Sequence, residues 1–134
     1  KIKLITDGDV AGIIHCAEPE ITGVDMLMGL GGAPEGVLAA SALKCLGGQI
    51  QGRLVFRTND EKKRAEKAGI KDLNQIYNLN DMVTEEVIFA ASGVTNGSIL
   101  KGTRIINNML ETETILMRSK TGSIRRLTCR QKVT

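Results

Sequence analysis

With 134 residues, 42% of them apolar and 25% charged, the chain has the size and balance of one globular domain, and an aromatic share of 2% leaves its core to aliphatic side chains and methionine. A net charge of +3 is too small to argue for a nucleic-acid-binding domain, which stays a weak rival, and it suits a phosphorylated partner. The apolar runs are short and broken by Gly or charge, which excludes a membrane-spanning helix. Cys16, Cys45 and Cys129 are scattered and form no Cys-x-x-Cys pair, as expected of reduced thiols in a cytoplasmic protein.

Lys1–Thr6 alternates charged and aliphatic residues and predicts a strand, entered directly and without an initiating Met, as in a fragment of a longer protein. Asp7-Gly8-Asp9 follows as a turn. A helix is predicted from Val10 to about Cys16, with Asp9 as N-cap and Glu18-Pro19-Glu20 as its stop. Gly23–Leu30 is a short apolar run that predicts a central strand, and Gly31–Gly36 a loop. Val37–Leu46 predicts a strong helix closed by Gly47-Gly48. Gln51–Arg57 predicts a strand. Thr58 and Glu61 stand at capping-box spacing and open a charged helix, Glu61–Ala68, ended by Gly69.

Gln75–Leu79 and Glu86–Ala91 predict two further strands, with Ser92–Gly97 as a loop. Three strands close the chain, at Thr103–Asn108, Thr114–Ser119 and Ser123–Cys129, the last two joined by a turn at Thr121-Gly122. The expectation is an α/β domain with a mixed β-sheet and flanking helices, parallel in its first part and antiparallel at the end.

Two loops have the composition for chemistry. Asp7-Gly8-Asp9 lies where an expected strand ends and a helix begins, the place where open α/β sheets bind ligands. Its carboxylates can accept hydrogen bonds from sugar hydroxyls or hold a cation, and Gly8 lets a ligand come close. Asp9 can equally serve as an N-cap alone. Gly29-Leu30-Gly31-Gly32-Ala33-Pro34-Glu35-Gly36 repeats the strand-loop-helix arrangement, and its glycines and the helix terminus make a phosphate cradle. Glu35 falls in the helix's first turn, either complementing the helix dipole or serving as an oxygen ligand for Mg²⁺ or Mn²⁺. A dinucleotide fingerprint is excluded, because Pro34 stands where the third Gly belongs and no acidic residue ends a strand about 20 residues on. A P-loop is excluded by the lack of Gly-Lys-Ser/Thr.

These two loops, in this order, resemble class II fructose-1,6-bisphosphatases. The matching stretches are Asp7-Gly8-Asp9-Val10, Gly31-Gly32-Ala33-Pro34-Glu35-Gly36-Val37, and Ala42-Leu43-Lys44-Cys45-Leu46-Gly47-Gly48. Ala91–Gly97 and Arg118–Gly122 extend the resemblance to nearly the whole chain. It implies the α/β fold of the lithium-sensitive, metal-dependent sugar phosphatases. The implied activity is removal of the 1-phosphate of fructose 1,6-bisphosphate in gluconeogenesis, with sedoheptulose 1,7-bisphosphate as a further substrate in some members. Carried over by motif, Glu35 should bind one divalent cation, Mg²⁺ or Mn²⁺, while Asp7, Gly8, Asp9 and Gly32 should contact substrate. Residues 1–134 would then be the C-terminal domain of a homo-oligomeric cytoplasmic enzyme. The family's upstream half, with most of its metal ligands, is not in this sequence, so the chain alone should be inactive. The rival expectation is a non-catalytic α/β module that binds a sugar phosphate.

Other features carry less. His15 is the only histidine and has no placed partner for a catalytic dyad. Lys62-Lys63-Arg64 and Lys67 make a solvated helix face, with no interleaved aromatics to stack bases. Arg118, Lys120, Arg125 and Arg126 flank a hairpin and protect an edge strand.

Overall fold

The structure, a computed structural model, describes residues 1–5 and 9–133, with only the backbone of Asp9. Five helices are described: α1 (Asp9–Cys16), α2 (Pro19–Thr22), α3 (Ala33–Leu46), α4 (Asn59–Lys67) and α5 (Leu79–Met82). Among them run six strands: β1 (Gln51–Arg53), β2 (Ile76–Asn78), β3 (Ile88–Ser92), β4 (Arg104–Ile106), β5 (Met109–Arg118) and β6 (Ser123–Lys132). This is an α/β fold, with sheet and flanking helices as expected.

Helix α3 organises the chain. Its Ala39, Ala40 and Ala42 are fully buried, and such small side chains let neighbours approach its axis closely. Helix α1 packs on one side of it, and β3 and β5 on another. The core joins Ile14 of α1, Ala42 and Cys45 of α3, Phe89 of β3, and Ile115 and Met117 of β5. Phe89 and Met117 are cross-strand partners, so two large side chains meet over the alanine face. The helix starts at Ala33, four residues before the expected Val37, because Pro34 sits in its first turn with φ already set for a helix. It ends on Gly47, whose φ of +77° closes the helix through a bond from its N–H to the Leu43 carbonyl.

Strand β5 is the centre of the larger sheet. One edge pairs with β6 along its whole length, and the other pairs with β3 and then β4, all antiparallel. The β4–β5 turn is Asn107-Asn108, with φ of 50° and 59°, so the expected strand through Asn108 stops two residues short. Asn tolerates this left-handed conformation and supplies a tight hairpin turn. Strands β1 and β2 form a separate antiparallel pair, each shorter than expected, with α5 following β2 unforeseen. The α4 capping box is in place: Glu61 N–H donates to Thr58 Oγ1 at 3.2 Å, and Thr58 N–H to Glu61 Oε2 at 3.3 Å.

Two expected strands are not formed. Residues 1–5 and Val24–Leu30 run without regular secondary structure, and every strand pair among the described residues is antiparallel. The expected parallel part of the sheet needed these segments. A strand is defined by its partner, and neither segment has a ladder partner here. Glu18-Pro19-Glu20, expected only as a stop, begins the short helix α2 with Pro19 at its start.

Candidate functional site at the α3 N-terminus

The glycine-rich loop ends on Gly32, the N-cap of α3, with φ −71° and ψ 147°. The first intrahelical bond runs from Gly36 N–H to the Gly32 carbonyl at 3.1 Å. The N–H groups of Ala33 and Glu35 therefore have no intrahelical partner, and Pro34 has no N–H to offer. They add to the positive end of a 14-residue helix, a setting that favours an anion. Glu35 is exposed in the first turn, and its carboxylate folds back over Gly32 so closely that a Cβ on Gly32 would overlap Oε2. The two predicted residues of this loop are thus brought into contact. A side chain at this position would have to displace the flexible, exposed Glu35 carboxylate, and the backbone itself carries no strain.

The loop opens onto a cavity of about 620 Å³. Opposite the loop, its wall includes Arg53 of β1, Tyr77 of β2 and Asp81 of α5. The Asp81 carboxylate accepts from the Asn78 N–H at 2.8 Å, which fixes the start of α5. Ile13 of α1 lines the same cavity, so both helices that follow the predicted loops border it. Arg53, Tyr77 and Asp81 were not singled out from sequence. They sit in short elements far along the chain, and no local pattern marks them. Asp7 and Gly8 lie outside the described residues, as does the Asp9 side chain; the Asp9 backbone opens α1.

Among the described residues, no group of three or more His, Cys, Asp or Glu side chains could hold a metal ion. The exposed Glu35 carboxylate has oxygen donors of the kind that hard divalent cations take. Burial pushes the Cys16 thiol up, helped by the charge of Asp25, and burial also raises that of Cys45, so both are held as the unreactive thiol. No helix among the described residues is long and apolar enough to cross a membrane.

A family model described as bacterial fructose-1,6-bisphosphatase, glpX-encoded, matches residues 1–131. The chain belongs to this family. It is similar to the fructose-1,6-bisphosphatase class 2 of Haemophilus influenzae, with 43% identity over 141 residues, covering 95% of the chain and 42% of that protein. It is also similar to a Synechococcus sp. (strain JA-3-3Ab) protein named D-fructose 1,6-bisphosphatase class 2/sedoheptulose 1,7-bisphosphatase, with 34% identity over 138 residues and 40% of that protein covered. A second Synechococcus strain, JA-2-3B'a(2-13), has a protein of the same name at the same 34% identity. The chain therefore spans about two fifths of the length of these relatives, 42% and 40%.

Proposed function

We propose that residues 1–134 form the C-terminal domain of a cytoplasmic, homo-oligomeric phosphatase that removes the 1-phosphate of fructose 1,6-bisphosphate in gluconeogenesis. The observation that supports this best is the Glu35 carboxylate seated on Gly32 at the N-terminus of α3, in a chain matched by the bisphosphatase family over residues 1–131. The substrate carries two phosphates, and the unpaired N–H groups of Ala33 and Glu35 suit one of them. Gly32, in the same loop and beside the Glu35 carboxylate, contacts substrate through its backbone. Asp7 and Asp9 accept hydrogen bonds from sugar hydroxyls, and Gly8 between them leaves room for the sugar ring.

Glu35 is one ligand to a divalent cation, Mg²⁺ or Mn²⁺. When bound, such a cation neutralises charge on the transferring phosphoryl group and lowers the pKa of a bound water. Hard divalent cations take about six oxygens. One carboxylate is too few, so the remaining ligands come from the region that the relatives carry outside the match. This division of labour makes the chain a supplier of substrate contacts and one metal ligand.

The test is Glu35→Gln in a chimera in which residues 1–134 replace the matched region of the Haemophilus influenzae relative. An amide oxygen is a neutral, weaker ligand for a hard cation. Phosphate release from fructose 1,6-bisphosphate should fall by about 100-fold or more at limiting Mg²⁺ or Mn²⁺, with unchanged thermal stability. Near-normal turnover at limiting metal would remove Glu35 from the metal site and favour a module that only binds sugar phosphate.

A further inference from the structure

The two segments expected as strands have an unusual surface. Residues 1–5 and Val24–Leu30 lie against α1 at the same point: a Cβ on Gly12 would fall 2.5 Å from Leu27 Cδ1 and 3.2 Å from Ile5 Cδ1. Leu27, half-buried, and Ile5, itself 47% exposed, are thus the side chains by which the two segments approach α1. The other apolar side chains there are more exposed: Ile2 is 90% and Leu4 92% exposed in the first segment, and Met26 is 72%, Met28 84% and Leu30 65% exposed in the second. Isolated exposed aliphatics are ordinary on a protein surface, but five on two neighbouring segments with unpaired backbone make an interaction surface.

We infer that this bare face is the seat of the region that the relatives carry beyond the match, which covers it with an apolar layer and supplies strands to its unpaired backbone. Three observations select that occupant. The relatives are matched over only 42% and 40% of their length, so a larger stretch of polypeptide is available in the same molecule. The two segments are without apolar cover and, among the described residues, without ladder partners, and a strand-bearing domain provides both together. The bare segments also border the glycine loop, since Val24–Leu30 runs directly into Gly31-Gly32. Docking there brings the remaining metal ligands to the side of the chain that holds Glu35. The inference shares its partner with the proposed function but does not depend on phosphatase chemistry, and its readout is accessibility.

Methionine oxidation provides that readout. Met26 and Met28 are open to a mild oxidant in the 134-residue chain, while Met117, 1% exposed, is an internal buried reference. In the chimera with the Haemophilus influenzae relative, both exposed methionines should oxidise about tenfold more slowly than in the 134-residue chain, towards the rate of Met117. Equal rates in the two proteins would overturn the inference, even with a chimera that releases phosphate normally. Protection in a chimera that releases no phosphate would uphold the inference and sink the phosphatase reading instead. Protection that appears in the 134-residue chain as its concentration rises would assign the face to a second copy, and overturn the inference. A second measurement needs no chimera: the chain should bind an apolar fluorescent dye, and Leu4→Lys with Met28→Lys should abolish most of that signal without changing the melting temperature. An unchanged signal would show that these side chains do not form the patch, and would equally overturn it.

Discussion

Gly32→Ala isolates the central geometric claim, because its effects on folding and on the site separate. At φ −71° and ψ 147° alanine is unstrained, so replacing glycine there restricts the unfolded chain and stabilises by about 0.4–1 kcal/mol. Alanine is a poorer N-cap than glycine, which costs a comparable amount. The net change in stability should lie within about 1 kcal/mol of zero. The new methyl group, however, occupies the space of the Glu35 carboxylate. The carboxylate must withdraw by roughly 1 Å to regain van der Waals distance, and a misplacement of that size costs on the order of 100-fold in catalysis. In the chimera, Gly32→Ala should leave the denaturant midpoint nearly unchanged. The half-saturating metal concentration should rise and kcat should fall by about two orders of magnitude. Unchanged metal saturation and unchanged kcat would refute the argument that Glu35 acts from its seat on Gly32.

Two predictions concern the scaffold. Met117, 1% exposed and paired with Phe89, should cost about 2–5 kcal/mol on replacement by Ala, read from urea unfolding of the 134-residue chain. Glu111 is 2% exposed and is a direct register partner of both Arg104 and Arg130 on the neighbouring strands; hydrogen bonds from these two guanidinium groups hold its carboxyl below the usual carboxylate range. A carboxyl depressed on folding contributes stability that is present above its unfolded pKa and lost as the pH falls through the folded value. Unfolding measured from about pH 5 to pH 2 should therefore show a steep acid limb that Glu111→Gln flattens, and an unaltered limb would contradict this assignment.

The elements that could be read from sequence were those whose causes are local. The Thr58–Glu61 box, the Gly47 stop and the Thr121-Gly122 turn each depend on a few adjacent residues, and each appears in place. The elements that differed depend on distant partners. Residues 1–5 and Val24–Leu30 have strand composition, but among the described residues neither joins a strand ladder. Asn107-Asn108 was read as strand because nothing nearby announces a turn; its left-handed φ values emerge only where β4 folds back on β5. Glu111 shows the same limit. Leu110-Glu111-Thr112-Glu113 carries acid groups on one face of β5, which looks solvent-facing until Arg104 and Arg130 close over it.

The candidate site divides in the same way. Gly32 and Glu35 are three residues apart on one helix turn, so their contact was implicit in the spacing. Arg53, Tyr77 and Asp81 reach the cavity through the β1–β2 pair and through α5, which packs against both β2 and α3, and no short motif encodes that arrangement.

The most direct measurement of the central claim compares phosphate release from fructose 1,6-bisphosphate by the 134-residue chain and by the chimera, each with saturating Mg²⁺ or Mn²⁺. One carboxylate at Gly32 cannot hold the cations that phosphoryl transfer requires, so the account predicts no release from the chain and metal-dependent release from the chimera. Metal-dependent turnover by the purified 134-residue chain, free of any companion polypeptide, would contradict it.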